Sequence, residues 1–564
     1  MNKSLFQKLL PHFVALILFF CLSFWYFSPV LEGKQLMGHD TQSWMYAAKE
    51  TLDYNQTQDD KTLWTNSMFS GMPNYQISMT QPNNIIKYVD QLFKSLPSPV
   101  FYLVLYLLCF YILLLAFGIS PWLAIIGSLA FSFASYNFII LSVGHNSKAI
   151  TIAYTAPLIG SIYMAFRSKR MLGSLLTALF LSLAIYANHI QILYYTLLIV
   201  LVFGLVEMIF SIKEKKTSAY FKTLGLLIIA ALLAVGMNAT SLLTTYEYSQ
   251  YTMRGKSTGL TIDEQNAQHG LNKDYITQWS YGIDETLTLL IPNFKGGASA
   301  GTLSPESKTA QRLTSYGVPN VERMMKEMQL PLYWGTQPGT AGPVYVGAIV
   351  CFLFVLGIFL VDKRTKWWLL PLIILSIMLS WGKNFMPLTD FFIQYVPLYN
   401  NFRTVSMILV IASFGMALMA VLALKEVFKP HADKTKLLRP ISISAAIVGG
   451  ICLIFAAVPS LAGNFVSPAD AQFTGDYAFL KETLPLDRQA LLRSDALRSL
   501  AFVVLSAGLI WLYAKNLVKK NLTYVFLGCL MLGDLVPVAK RYLNDDNFTR
   551  KRSIEKFVQP STAD

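Results

Sequence analysis

Long apolar runs punctuate the chain at residues 12–31, 99–117, 121–141, 150–166, 171–188, 190–212, 222–243, 343–361, 367–381, 402–424, 440–460, 498–514 and 522–540, thirteen in all. A helix that crosses a hydrocarbon layer of roughly 30 Å needs about 20 apolar residues, and polar residues here fall mostly between the runs. The pattern predicts an all-α polytopic membrane protein with about thirteen transmembrane helices. The first run reads as a retained span, because "SPVLEGK" offers no small-x-small cleavage site. Just beyond it, Trp44, Ala47, Ala48, Thr51 and Leu52 recur at helical spacing. They predict a surface helix that Asp40 or Thr41 would cap.

Composition agrees with a membrane. Of 564 residues, 54% are hydrophobic and 14% charged, where a soluble domain carries about a quarter charged residues. The formal net charge of +14 changes the picture only through its placement. Lys3 and Lys8 precede the first run, and Arg167, Lys169 and Arg170 follow the fourth. Lys213, Lys215, Lys216 and Lys222 lie between the sixth and seventh, and Lys363, Arg364 and Lys366 follow the eighth. Lys425, Lys429, Lys434, Lys436 and Arg439 follow the tenth, and Lys515, Lys519 and Lys520 the twelfth. With thirteen alternating spans all twenty fall on one side. The positive-inside rule makes that side cytoplasmic, with the amino end inside and the carboxyl end outside. The basic balance therefore reports topology, and no basic surface with interleaved aromatics marks a nucleic-acid partner.

The transmembrane domain then spans residues 1–540, with long extracytoplasmic loops at 32–98, 244–342 and 461–497 and an extracytoplasmic tail at 541–564. The loops are rich in Trp, Tyr, Gly, Pro and Asn, as in "WTNSMFSGMPNYQISMTQP" and "YWGTQPGTAGPVYVG", a composition that holds shape through turns. Cys21, Cys109, Cys351, Cys452 and Cys529 all fall inside predicted spans, so none staples an outer loop, and no Cys or His cluster has zinc-ligand spacing.

The predicted spans are nearly bare of the buried charges that mark proton-coupled transport. Asp534, the main exception, is expected to pair with Lys540, Arg541 or another cation near that end of its span. Polar residues collect instead where spans meet the outer face: His39 and Asp40 in "GHDT", His145, Asn146 and Lys148 in "SVGHNSKAI", His189 and Gln191 in "YANHIQILYY", and Arg403 in "NNFRTVSM". Taken singly, His145 and His189 suit helix capping and Arg403 suits snorkelling to the interface. Their convergence on one face predicts an outward-facing site.

The segments "GHDTQSW", "SGMPNYQI", "GHNSKAITIAYTAPLI", "NHIQILYY", "TTYEYSQYTMRGKS", "YGIDETLTLLIPNFKGG", "GPVYVG" and "YNNFRTVSMIL" occur in order along essentially the whole chain. Together they resemble the YfhO family of bacterial multispan membrane proteins, which is similar to the GT-C superfamily of membrane glycosyltransferases. The resemblance implies a GT-C-like fold in the bacterial cytoplasmic membrane and a polyprenyl-phosphate-linked sugar as donor. It also implies a functional acid in the first outer loop, the position that Asp40 matches. Family members tend to continue past the last span, so the resemblance implies that the tail ending "FVQPSTAD" begins a further domain that is truncated here.

Compartment chemistry points the same way. Nucleotide sugars stay inside, so an enzyme on the outer face needs a donor that crosses with its lipid. Lys148, Arg254 or Arg403 would bind the donor phosphate, an arginine in bidentate fashion, and "KGGASAG", residues 295–301, lacks the Lys-Ser/Thr ending of a phosphate loop. Inverting transfer needs one base for the acceptor hydroxyl, a role that falls to Asp40. A retaining route needs a second carboxylate, for which Asp284 and Glu285 are the candidates; otherwise they bind acceptor or pair with a basic residue. A divalent cation, Mg or Mn, suits carboxylate oxygens. "HDT" offers one acid where two would be expected, with His39 as a weak further ligand, so the residues leave metal dependence open.

The function expected is transfer of a sugar from a polyprenyl-phosphate donor to an envelope acceptor: a polymer, a lipid or a protein. Two other classes fit the span count. A lipid-linked sugar flippase or exporter should show polar helix faces open toward the cytoplasm, and a noncatalytic envelope assembly protein should tolerate loss of Asp40.

Overall fold

The computed structural model describes residues 3–78, 83–252, 255, 270–430 and 433–557. Among them helices dominate, and the named strands form only two short antiparallel ribbons. Among the described residues, eight helices are long and apolar enough to cross a membrane, and ten if two bent pairs each count as one. The run at 121–141 becomes Pro121–Ser132 and Ser135–Val143, bent by 50°, and the run at 367–381 becomes Lys363–Ser380 followed by Gly382–Tyr395, bent by 112°. Three other runs become shorter apolar helices, Val100–Ala116, Arg170–Tyr186 and Ala348–Leu360. The architecture is thus an all-helical, multi-pass one, with eight to ten crossings supported where the sequence pattern predicts thirteen.

The chain divides into two compact units. The first comprises residues 1–121, 140–272 and 543–564. Its central helix is Asn146–Arg167, 83% of whose apolar window is buried. The helices Val100–Ala116, Arg170–Tyr186 and Ile190–Lys213 pack around it, and Thr217–Met237 packs on Arg170–Tyr186. Short turns join the four helices from Asn146 to Met237, so neighbours in sequence run antiparallel. The basic residues Arg167, Lys169, Arg170, Lys213, Lys215 and Lys216 therefore gather at the helix ends opposite to His145 and His189. At that basic end Arg167 reaches Glu207 at 2.8 Å, an acid only 1% exposed inside a predicted span.

The first loop of this unit is held by the end of the chain. Lys34–Leu36 pairs antiparallel with Phe548–Arg550, and the Tyr26 hydroxyl donates to the Leu543 carbonyl at 2.9 Å. These ties fix how the backbone approaches Gly38.

The second unit comprises residues 122–139 and 273–542. Its central span is Val405–Val427, 89% buried, which packs against Ala348–Leu360 and Lys363–Ser380. The segment 461–497, expected to be a loop, is helical over its second half: Leu480–Ala514 runs unbroken for 35 residues. Leu480 and Leu484 at its start close a small apolar core with Leu303, Leu313, Met325 and Leu330. Polar groups from the same helix are buried with partners. Asp487 accepts from Lys308 N at 2.6 Å and Thr309 N at 3.0 Å. Arg488, fully buried, forms two bonds of 2.7 Å to Asp470. A bidentate pair of this kind satisfies donors that burial would otherwise strand.

Candidate functional site

The helix His39–Thr57 starts at Gly38, which has extended backbone and supplies no side-chain cap. Asp40, expected to cap, is instead the second residue inside the first turn, where the helix dipole favours a carboxylate. Thr41 does not cap either; its hydroxyl is 3.5 Å from Asn146 Nδ2. The first turn is pressed against the turn that precedes Asn146–Arg167. A Cβ on Gly38 would stand 2.6 Å from Gly144 N, and one on Gly144 would stand 2.7 Å from Thr41 Oγ1. Gly144 also has φ +101°, a conformation side chains resist. Two Gly-His pairs far apart in sequence thus meet backbone to backbone.

That approach brings Asp40 to His145. His145 Nε2 lies 3.0 Å from Asp40 Oδ2, and His145 Nδ1 lies 2.9 Å from Lys148 Nζ. An ammonium has no acceptor, so Lys148 donates to Nδ1 and the imidazole proton sits on Nε2, directed at Asp40. Lys148 is 6% exposed, whereas the Asp40 side chain is 48% exposed. The arrangement is a buried cation, a histidine fixed in one tautomer, and a carboxylate that still faces out. His39 adds a long contact of 3.4 Å from Nδ1 to Asp40 Oδ1 and is itself highly exposed.

His189 stands at the start of Ile190–Lys213 and does cap, its Nδ1 accepting from Ile192 N at 3.3 Å. Burial first, and then the charge of Lys148, push its pKa down to about 3, so it is neutral at physiological pH. Gln191 donates to Tyr195 on its own helix at 2.8 Å. The first unit therefore unites His39, Asp40, His145, Asn146 and Lys148, with His189 close enough to feel the lysine. Sequence reasoning missed Gly38 and Gly144, and saw Thr41 only as a cap. The repeated Gly-His pair in "MGHDT" and "VGHNS" was the available signal.

The remaining candidates among the described residues lie in the second unit. Arg403 is exposed, donates from Nη1 to the Tyr275 hydroxyl, and has its guanidinium 5.2 Å from that ring's centre. Asp284 pairs with Lys295 at 2.6 Å. Glu285, 3% exposed, accepts from Gly282 N at 3.0 Å, and from Tyr333 Oη and Gln337 Nε2 at 2.9 Å each. Burial raises its pKa although these donors and Lys295 oppose the shift. Asp534 does pair with a cation, but the partner is Arg498, at 3.2 Å, with the Tyr345 hydroxyl donating at 2.5 Å. Arg541, one of the expected partners, instead makes two bonds of 2.7 Å to Asp495. Arg254 lies outside the described residues.

Among the described residues, no group of three or more His, Cys, Asp or Glu side chains is placed to hold a metal ion. Comparison of the chain with protein-family models, with curated proteins and with solved structures gives no match.

Proposed function

We propose that this chain is a GT-C-type membrane glycosyltransferase. On this reading it moves a sugar from a polyprenyl-phosphate donor to an extracytoplasmic acceptor, and Asp40 is the base. The observation that carries the reading is the Lys148–His145–Asp40 series, with spacings of 2.9 and 3.0 Å. Such a series holds a carboxylate in one orientation and leaves its outward lone pairs for a substrate hydroxyl. In the transfer, the acceptor oxygen attacks the anomeric carbon as its proton passes to Asp40. The bond from that carbon to the phosphate oxygen breaks, and the polyprenyl phosphate leaves with the electron pair. His145 Nε2–H steadies the carboxylate throughout.

The orientation proposed with this reading places Asp40 outside and the amino end in the cytoplasm. It is supported by the gathering of Arg167, Lys169, Arg170, Lys213, Lys215 and Lys216 at the opposite helix ends from the site.

The test is sugar transfer by purified protein in liposomes containing a radiolabelled polyprenyl-phosphate sugar and an envelope extract as acceptor. Because Gly38 and not Asp40 stands at the cap position, Asp40→Asn should leave membrane abundance unchanged. Transfer should fall roughly 100-fold or more, the scale of a lost general base. Wild-type transfer by Asp40→Asn removes Asp40 from the chemistry. Movement of the labelled lipid across the bilayer with no consumption identifies a flippase instead.

A further inference from the structure

The nine-residue helix Ile86–Lys94 in the first loop divides sharply by face. Ile86 and Asp90, each 4% exposed, point into the protein, whereas Ile85, Tyr88 and Leu92 are 66%, 64% and 70% exposed. Spaced three and four apart, the last three form one continuous apolar stripe. Lys87 and Lys94 lie together on one side of the helix, toward Asp90, with Lys87 Nζ 5.0 Å from the centre of the Tyr88 ring and Lys94 paired to Asp90 at 2.5 Å.

The depth of this helix follows from its attachments. Five residues, Ser95 to Pro99, separate it from the start of the apolar helix Val100–Ala116. At its other end Asn84 donates to Asn238 at 2.9 Å, and Asn238 donates to the Ser182 carbonyl at 3.2 Å. Asn238 is the residue that ends Thr217–Met237, and Ser182 lies in the last turn or so of Arg170–Tyr186. The short helix is thus pinned at the level where three apolar helices begin or end. In a bilayer that level is the boundary between headgroups and acyl chains.

We propose that Ile86–Lys94 is an interfacial helix whose partner is the phospholipid surface: Ile85, Tyr88 and Leu92 enter the acyl boundary, and the lysines meet headgroup phosphates. An apolar stripe that carries an interfacial tyrosine, with lysines on another side of the same helix, has the chemistry of a helix lying about 5–10 Å into that boundary. The inference does not depend on the glycosyltransferase reading, because it rests on the attachment and exposure of this helix alone.

The test is site-directed spin labelling of the full chain in phosphatidylcholine liposomes, with the exposed Cys21 and Cys529 replaced by alanine. Single cysteines replace Tyr88, Leu92 and, as the polar-side control, Lys94. Tyr88 and Leu92 are exposed, so labels there leave the core intact, and the change at Lys94 gives up its pair with Asp90. Labels at 88 and 92 should collide more with oxygen than with a water-soluble nickel chelate, and the label at 94 should show the reverse. Chelate-dominated collision at 88 and 92 would place the stripe in water and overturn the proposal. Shielding of both labels from both agents would overturn it too, because another protein surface would then cover the stripe.

Discussion

Gly38 and Gly144 meet so closely that a Cβ on the first would lie 2.6 Å from the backbone nitrogen of the second. The contact sets the separation of the two turns that carry Asp40 and His145. Gly144→Ala adds a methyl group both at φ +101° and 2.7 Å from Thr41 Oγ1. The turns must part, and the Asp40–His145 bond is expected to break. Transfer in proteoliposomes should drop roughly 100-fold, the scale of a misplacement of about 1 Å. Unchanged transfer by correctly inserted Gly144→Ala would show that the spacing of the two turns does not matter.

Lys148 has two readings that kinetics separate. If it binds the donor phosphate, Lys148→Met raises KM for the lipid donor. Its 6% exposure and its contact with His145 favour a positioning role, so kcat should fall, by roughly 10- to 100-fold, while KM stays within a factor of about two. The measurement is initial rate against donor concentration at fixed protein abundance.

Glu285 is expected to matter for stability and not for chemistry. Gly282 N–H binds Glu285 Oε2, and Tyr333 and Gln337 bind Oε1, so Glu285→Gln sets an NH2 group against the donors on one of these two sides, at a cost of about 1–3 kcal/mol. The melting temperature in detergent should therefore fall, with transfer per folded molecule preserved. Lost transfer at an unchanged melting temperature would return Glu285 to the list of catalytic acids.

His189 gives a pH signature. Its pKa is 6.5 when solvated and about 3 in the fold, so between these values the unfolded chain binds the extra proton. Stability is then full above about pH 6.5 and is lost progressively as pH falls toward 3. His189→Asn keeps an N-cap acceptor and removes the titration. Its melting temperature should decline less than that of the wild type between about pH 6.5 and 4, and parallel declines would contradict the assignment.

Much of the helical architecture is legible in the sequence because apolar run length is a direct response to hydrocarbon thickness. What run length cannot show is a break inside a run. "WLAIIGSLAFSFASYNFII" reads as one span, yet the helix ends at Ser132 and restarts at Ser135. Run length is equally silent on the helix within the loop 461–497, where "LKETLPLDRQALLRSDALRS" carries charges and a proline. Asp487, Arg488 and Asp495 are buried on one helix because Thr309, Asp470 and Arg541 satisfy them. The residues of the candidate site were legible as polar clusters at span ends. The order within it was not, since the Lys148 contact and the meeting of Gly38 with Gly144 depend on tertiary approach.

At 1.5 Å per residue the 35-residue helix Leu480–Ala514 is about 52 Å long, against a hydrocarbon layer of roughly 30 Å. About 20 Å of it is surplus to a crossing, and that surplus carries the small apolar core on Leu480 and Leu484. The helix therefore works as a ruler: the height of that core is set by how deeply the other end is seated. Thinning the bilayer or tilting the span would raise, lower or swing the core as a rigid whole, so the lipid composition of the membrane becomes a coordinate of this part of the protein.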